Sequence, residues 1–302
     1  MNTFAYAEIL FTLHAHRPDE LANKALMLRY GLVFLTEMPF ADVSGARLYY
    51  ELNGAGPAVV LLHGWTLDTT MLDDQFDEFS KHYQVLRYDM RGYGKSDLSE
   101  EVPYAHHEDL KALFDHLRID RAALIGLSMG GATAINFTLT YPERISALVT
   151  VDSWMENCTS LYMREFNRSL SEIFTKGKKE GIGSARSYWM GMPLFKPAIE
   201  NPRCSAKLKD IVRRYSGWDF VNNARIIRMD PIPERRLHEV KVPTLVIVGE
   251  LDDPGFLDVA SMISSGVRDS EKVTMKGVGH MSNMENPEEF NRIVSRFLAK
   301  TL

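Results

Sequence analysis

The sequence predicts an α/β fold in which a mostly parallel sheet is flanked by helices and interrupted by a helical cap. Short apolar runs of strand length alternate with helical patterns in two stretches, residues 39–152 and 239–302. Runs that are apolar throughout are typical of parallel strands buried on both faces. Residues 153–238 lack this alternation and are rich in Met, aromatic and charged residues, which favours a helical insertion.

The first stretch contains four predicted strands separated by helical patterns. The strands are Ala58–Leu62, Val85–Tyr88, Ala122–Ile125 and Ala147–Val151, and the helices are Met71–Ser80, His107–Leu117 and Met129–Tyr141. The second stretch contains a strand at Thr244–Val248, a helix at Phe256–Ser264 and a strand at Lys272–Met275. A last helix begins after Asn286, which suits an N-cap, with Pro287 at the first helical position.

These patterns divide the chain into three parts. Residues 39–152 and 239–302 form the predicted core domain, and residues 153–238 form the cap. Residues 1–37 have an amphipathic helical pattern and form an N-terminal appendage before the core. The appendage is interpreted as a docked helix pair, as a tail ordered by a partner, or as an over-long gene start.

Composition narrows the classes of function. The formal net charge of −5 and the lack of a basic tract argue against nucleic-acid binding. No run approaches the roughly 18 apolar residues that a membrane span needs. The two cysteines, Cys158 and Cys204, have no metal-ligand spacing, so no metal is predicted and the cytoplasm is the expected compartment. No organic cofactor is predicted, and a homodimer remains open.

A G-x-S-x-G motif at residues 126–130 marks Ser128 as the candidate nucleophile. A predicted strand precedes it and a helical pattern follows it. The glycines allow a sharp turn to close around the serine, and the N-terminal amides of the helix point towards its hydroxyl. The alternative interpretation is a glycine-rich packing turn.

His280 is the candidate general base, because it follows the last predicted strand and therefore lies at the same sheet edge as Ser128. Asp252 follows the preceding strand and is the candidate acid that orients the imidazole. Three other carboxyl groups remain alternatives for this role: Asp253, Asp152 and Glu250.

At these motifs the sequence resembles the α/β-hydrolase family. The matching segments, in the family's order, are His63-Gly64-Trp65, Asp89–Ser96, Gly126–Gly131, Gly249–Asp252 and Gly279-His280. The resemblance covers residues 39–302 and implies that the backbone amides of Trp65 and Met129 form an oxyanion hole. It implies that His63 and Asp89–Ser96 shape the loops around the site. The Ser-Met-Gly-Gly run is similar to the serine esterase and enol-lactonase branch.

The aromatic and methionine residues of the cap predict a lid with an apolar substrate pocket. Trp154, Trp189, Met190 and Met281 are the candidate pocket residues, with packing inside the lid as the alternative. The predicted reaction is hydrolysis of a small acyl substrate, an ester, lactone or thioester, through an acyl-enzyme. The alternatives are a carbon–carbon bond hydrolase with the same triad and a non-catalytic ligand receptor on the same fold.

Overall fold

The computed structural model describes residues 39–98, 103–222 and 224–302. The predicted appendage, residues 1–37, lies outside these ranges. Residues Phe40–Leu302 form one compact unit. None of the helices in the described ranges has the length and apolar character that a membrane span requires.

An eight-stranded sheet runs through this unit in the order β1-β2-β4-β3-β5-β6-β7-β8. Strands β1 and β2 pair antiparallel, β2 is antiparallel to β4, and the remaining neighbours are parallel. The strands are β1 Phe40–Val43, β2 Ala46–Asn53, β3 Ala58–Leu62, β4 Gln84–Tyr88, β5 Ala122–Leu127, β6 Ile145–Val151, β7 Thr244–Gly249 and β8 Ser270–Met275. Every residue of β5 and of β7 is buried, as the apolar runs predict.

Helices alternate with the parallel strands, which confirms the predicted α/β class. Those of the core are α1 Asp73–Phe79, α2 His106–Leu117, α3 Met129–Thr140, α10 Pro254–Gly266, α11 Ser282–Glu285 and α12 Pro287–Thr301. Asn286 caps α12 as predicted, because its side chain accepts a hydrogen bond from the Glu289 N–H. Residues 153–238, the predicted cap and below called the cap region, hold α4 Leu161–Glu180, α5 Ile182–Met190, α6 Lys196–Glu200, α7 Ser205–Arg214, α8 Trp218–Val221 and α9 Pro233–Arg236.

The hairpin of β1 and β2 is absent from the sequence prediction. Their burial alternates or is incomplete, because each strand carries charged residues such as Asp42 and Arg47. Strands β1 and β2 therefore lack the continuous apolar runs that mark the parallel strands. This hairpin lengthens the sheet at the side away from β7 and β8.

Helix α4 is attached to the core through α10. Ser160 caps α4 by accepting a hydrogen bond from the Met163 N–H, and its hydroxyl donates to Asp258 on α10 across 2.6 Å. The rings of Phe166 and Phe256 meet edge to face at 5.0 Å. The long helix of the cap region is thus fixed to the helix that follows β7.

The loops after four parallel strands meet at one edge of the sheet. In the parallel registers, Leu62 of β3 pairs with Gly126 of β5, and Gly249 of β7 pairs with Met275 of β8. Since parallel strands end at the same edge, the segments that follow these residues converge there.

Candidate active site

Ser128 occupies a tight turn between β5 and α3. Its backbone has φ 54° and ψ −112°, which is a strained conformation for a residue with a Cβ. A Cβ added to Gly126 would lie 2.2 Å from the Gly130 carbonyl oxygen, and one on Gly130 would lie 2.4 Å from the Leu62 oxygen. The two glycines of the motif are therefore required for the turn to close against the end of β3.

Three backbone hydrogen bonds hold Ser128 in this conformation. Its N–H donates to the Val151 oxygen across 2.9 Å, and its carbonyl accepts from the N–H groups of Ala132 and Trp154 at 3.1 and 3.2 Å. Strain of this kind costs about 1–3 kcal/mol and persists only where surrounding contacts enforce it. The turn directs one serine side chain to a fixed place at the sheet edge.

His280 lies in the loop after β8 and contacts Asp252, which lies in the loop after β7. The imidazole Nδ1 is 2.9 and 3.1 Å from the two carboxylate oxygens of Asp252. The ring also packs on Phe256, with 4.2 Å between centroids. With the proton on Nδ1 donated to the carboxylate, Nε2 keeps its lone pair and can accept a proton.

The three alternative carboxyl groups have other partners. Asp253 caps α10 by accepting from the Gly255 N–H, and Glu250 pairs with the Lys276 ammonium at the surface. Asp152 is fully buried; it accepts from the Gly249 N–H at 2.7 Å and from the Ser282 hydroxyl at 2.5 Å. Asp252 is therefore the carboxylate that touches the imidazole.

Burial controls the protonation of this cluster. Burial lowers the pKa of His280 to about 4, against the opposing effects of Asp152, Glu285 and Asp253. Burial raises the pKa of Asp252 well above its usual range, and burial together with the charge of Asp252 does the same to the pKa of Asp152. The imidazole is consequently neutral at pH 7, as a general base must be.

The loop after β3 adjoins the serine turn. A Cβ built on Gly64 would lie 3.5 Å from the Ser128 Cβ. His63 holds this loop: its Nδ1 donates to the Gly64 oxygen at 2.8 Å, and its Nε2 accepts from the Met90 N–H at 2.9 Å. His63 is thus structural at this site, in keeping with the loop-shaping role that the resemblance implies.

The N–H groups of Trp65 and Met129 lie in the two segments that flank Ser128. Within residues 39–98, 103–222 and 224–302, neither N–H donates to a protein acceptor. Two unpaired backbone donors on either side of a serine can stabilise a negatively charged oxygen.

Ser128 and His280 line one cavity of about 420 Å³, to whose wall α4, α5 and α8 also contribute. Cavities of this size accommodate small organic ligands. Its wall is largely aromatic and includes the predicted pocket residues Trp154 and Trp189, together with Trp65, Tyr93, Phe166, Phe174 and Phe256.

Two predicted pocket residues are absent from the cavity wall. Met190, at the end of α5, packs against the hydrophobic core, and Met281 is buried within that core. Met281 follows His280 directly, and its N–H donates to the Glu285 carboxylate. The prediction that these two methionines line the pocket is therefore wrong.

Several polar residues on the cavity wall are missing from the predicted pocket, among them Asp219, Tyr93 and His106. Asp219 lies on α8, Tyr93 in the loop after β4, and His106 at the start of α2. Neither ring nitrogen of His106 has a hydrogen-bond partner in the described part of the chain, and burial lowers its pKa to about 3. One sequence signal could have indicated Asp219: it is an acidic residue between two aromatic ones, in Trp218-Asp219-Phe220.

Comparison with known proteins finds relatives of the α/β-hydrolase fold. The model of the α/β-hydrolase fold family matches residues 57–172. The chain is 28% identical over 284 residues to 2-hydroxy-6-oxo-6-phenylhexa-2,4-dienoate hydrolase from Comamonas testosteroni, covering 85% of this chain and 93% of that protein. It is 24% identical over 261 residues to 3-oxoadipate enol-lactonase 1 from Acinetobacter baylyi, covering 84% and 94%.

A solved structure of an enol-lactonase from Burkholderia xenovorans superimposes with a TM-score of 0.74 and 26% identity, covering 86% of this chain and 100% of that one. The same fold is indicated by the sheet order, by the serine turn at the end of β5 and by these relatives. The chain has the α/β-hydrolase fold, and the model of that family matches its sequence over residues 57–172.

Proposed function

We propose that this protein hydrolyses carboxylic esters, lactones or thioesters of modest size through an acyl-enzyme on Ser128. The observation that carries the proposal is the contact of His280 Nδ1 with Asp252 in the cavity that Ser128 also lines. A neutral imidazole oriented by a carboxylate is the group that activates a serine hydroxyl at neutral pH.

Each step has a residue for it. His280 Nε2 takes the hydroxyl proton as Ser128 attacks the acyl carbon, and the N–H groups of Trp65 and Met129 bind the developing oxyanion. The protonated His280 then gives its proton to the leaving group, and the bond from the acyl carbon to that group breaks. Water, deprotonated by the same imidazole, attacks the acyl-enzyme. The bond from the acyl carbon to Ser128 Oγ breaks, His280 returns its proton to that oxygen, and the acid is released. One oxyanion donor contributes about 3 kcal/mol to such a transition state.

A fluorophosphonate probe tests the nucleophile directly. We expect one phosphonyl group per chain, located by peptide mass spectrometry on Ser128, and no labelling of Ser128→Ala. Ser171→Ala is the matched control, since Ser171 is exposed on α4 and remote in sequence from the turn. Labelling that persists in Ser128→Ala at the wild-type rate would refute the assignment.

Carbon–carbon bond hydrolysis is a second candidate. It is favoured by the 28% identity to the Comamonas testosteroni dienoate hydrolase. The two candidates differ in the bond that is cleaved and share the proposed site. Comparing kcat/KM for p-nitrophenyl acetate with that for a vinylogous diketone decides between them.

A further inference from the structure

Asp219 places a carboxylate on the wall of the substrate cavity. The residue is 7% exposed and belongs to α8 of the cap region. Its Oδ2 accepts hydrogen bonds from the Trp65 indole N–H at 3.2 Å and from the Tyr93 hydroxyl at 2.9 Å. Both donors are uncharged groups, so they orient the carboxylate without neutralising it.

The tyrosines around Asp219 remain protonated. Burial, and then the negative charge of Asp219, raise the pKa of Tyr93 and of Tyr215 well above the usual range of a phenol. In the described part of the chain no Lys or Arg nitrogen lies within 4.0 Å of the Asp219 carboxylate oxygens. The charge of this carboxylate therefore has no cationic partner there.

The other charged groups of the cavity wall cancel. Glu156 contributes −1 and Arg228 contributes +1, and the two form an ion pair of 2.9 Å. Burial lowers the pKa of all three histidines on the wall, His106, His107 and His280, so they are neutral at pH 7. One negative charge, that of Asp219, is left in the cavity.

Aromatic rings pack around the indole that binds Asp219. The indole of Trp65, which binds Asp219, packs against Trp189 at 4.9 Å, Phe220 at 5.7 Å and Phe174 at 6.0 Å between centroids. Ring faces attract cations, and desolvated ammonium groups bind to aromatic cages. The same surroundings disfavour a second anion, because a buried negative charge without a partner is costly.

We propose that the cavity selects acyl substrates that carry an organic ammonium group and rejects substrates that carry a carboxylate. The ammonium group would lie against Asp219 and the rings of Trp65 and Tyr93 while the acyl carbon lies at Ser128. This inference rests on the proposed hydrolase function for its orientation in the cavity. It separates this chain from relatives whose names specify carboxylate compounds, a dienoate and an oxoadipate derivative.

Three butyrate esters of similar size test the selectivity. They are the esters of choline, of the uncharged 3,3-dimethylbutanol and of the anionic 3-hydroxypropanoate. We expect kcat/KM for the choline ester to exceed that for the neutral ester by about tenfold, the equivalent of one favourable cation–π contact and ion pair. The anionic ester should be the slowest of the three. Equal or faster turnover of the anionic ester would overturn the proposal.

Substitution of Asp219 identifies the source of the selectivity. Asp219→Asn keeps an acceptor oxygen for Trp65 and Tyr93 but removes the charge, so the choline preference should fall to within about threefold. Tyr93→Phe keeps the charge and should keep the preference. Asp77→Asn, an exposed carboxylate on α1, is the charge-matched control. A preference unchanged in Asp219→Asn would contradict the assignment.

A binding measurement separates this inference from the proposed reaction. Tetramethylammonium should bind to Ser128→Ala, read by tryptophan fluorescence and calorimetry, and binding should weaken about tenfold when Asp219→Asn is added. Ammonium binding without ester turnover would leave the cavity specificity standing and remove the proposed function. Ester turnover without ammonium binding would support the proposed function and refute the cavity specificity.

Discussion

The hydroxyl of Ser282 donates a hydrogen bond of 2.5 Å to the buried carboxyl group of Asp152, although the two residues are 130 positions apart. The second oxygen of Asp152 accepts from the Gly249 N–H. Asp152 thus joins the ends of β6 and β7 to the segment that follows His280. Burial, together with the charge of Asp252, raises the pKa of Asp152 well above its usual range, whereas Asp252 is the carboxyl group in contact with the imidazole.

Replacing each of these two aspartates by asparagine should lower kcat to very different extents. In Asp152→Asn the amide can accept from Gly249 and donate to Ser282, so kcat should stay within about tenfold of the parent. In Asp252→Asn the imidazole loses the acceptor that fixes its tautomer, so kcat should fall about 10⁴-fold. Steady-state kinetics on p-nitrophenyl butyrate checks both variants. A larger loss in Asp152→Asn than in Asp252→Asn would transfer the acid role to Asp152.

The pH profile of kcat/KM should extend unusually far into the acid range. The imidazole of His280 is the base in its neutral form, and burial lowers its pKa from 6.5 to about 4. Activity should therefore be lost only as the pH falls through that lowered pKa, and the half-activity point should lie below pH 6.5. The measurement needs an ester that does not itself ionise between pH 4 and 8. An acidic limb centred at or above pH 6.5 would contradict the burial effect.

Alanine at Gly130 should destabilise the folded chain. Its Cβ would approach the Leu62 and His63 carbonyl oxygens to 2.4 and 2.6 Å, so β3 or α3 must shift. We expect a loss of about 2 kcal/mol or more in the free energy of unfolding, together with reduced labelling of Ser128. Gly183→Ala is the matched control, because that exposed helical glycine has nothing within 4 Å of the added carbon. It should instead stabilise by about 0.5–1 kcal/mol. Similar unfolding curves for the two variants would count against the crowded turn.

Removal of the Ser160 hydroxyl should weaken the attachment of α4. Ser160→Ala deletes both the N-cap of α4 and the hydrogen bond to Asp258, so the free energy of unfolding should fall by about 1–2 kcal/mol. Ser171→Ala, in the same helix but exposed, should change it by no more than about 0.5 kcal/mol. Chemical denaturation followed by circular dichroism measures both. Equal losses of unfolding free energy in the two variants would show that the Ser160 hydroxyl does not stabilise the attachment of α4.

The parallel strands and the serine turn could be predicted because their signals are local. Strand β5 is an unbroken apolar run, and the close contact that requires glycine at position 126 is with Gly130, four residues along the same turn. His280 and Asp252 could be placed at the same edge because parallel strands end on one side of a sheet. Strands β1 and β2, which carry charged residues such as Asp42 and Arg47, have no such signal.

The cavity wall could be predicted only in part because it depends on how the cap lies over the core. Trp189 reaches the cavity and donates from its indole N–H to Thr66 at 2.8 Å, 123 positions away. Met190, the next residue along the helix, points to another side of α5 and packs in the core. Asp219 accepts hydrogen bonds from Trp65 and Tyr93, which belong to two loops distant from it in sequence. Nothing in the spacing of these residues specifies their contact.

At the positive φ of Ser128, glycine would give the more stable fold, whereas serine supplies the hydroxyl that the proposed reaction needs. Glycine would occupy φ 54° without a penalty, so Ser128→Gly should raise the melting temperature while removing the hydroxyl. Selection for thermal stability alone would therefore favour glycine at this position, and only selection for the proposed reaction would retain the serine.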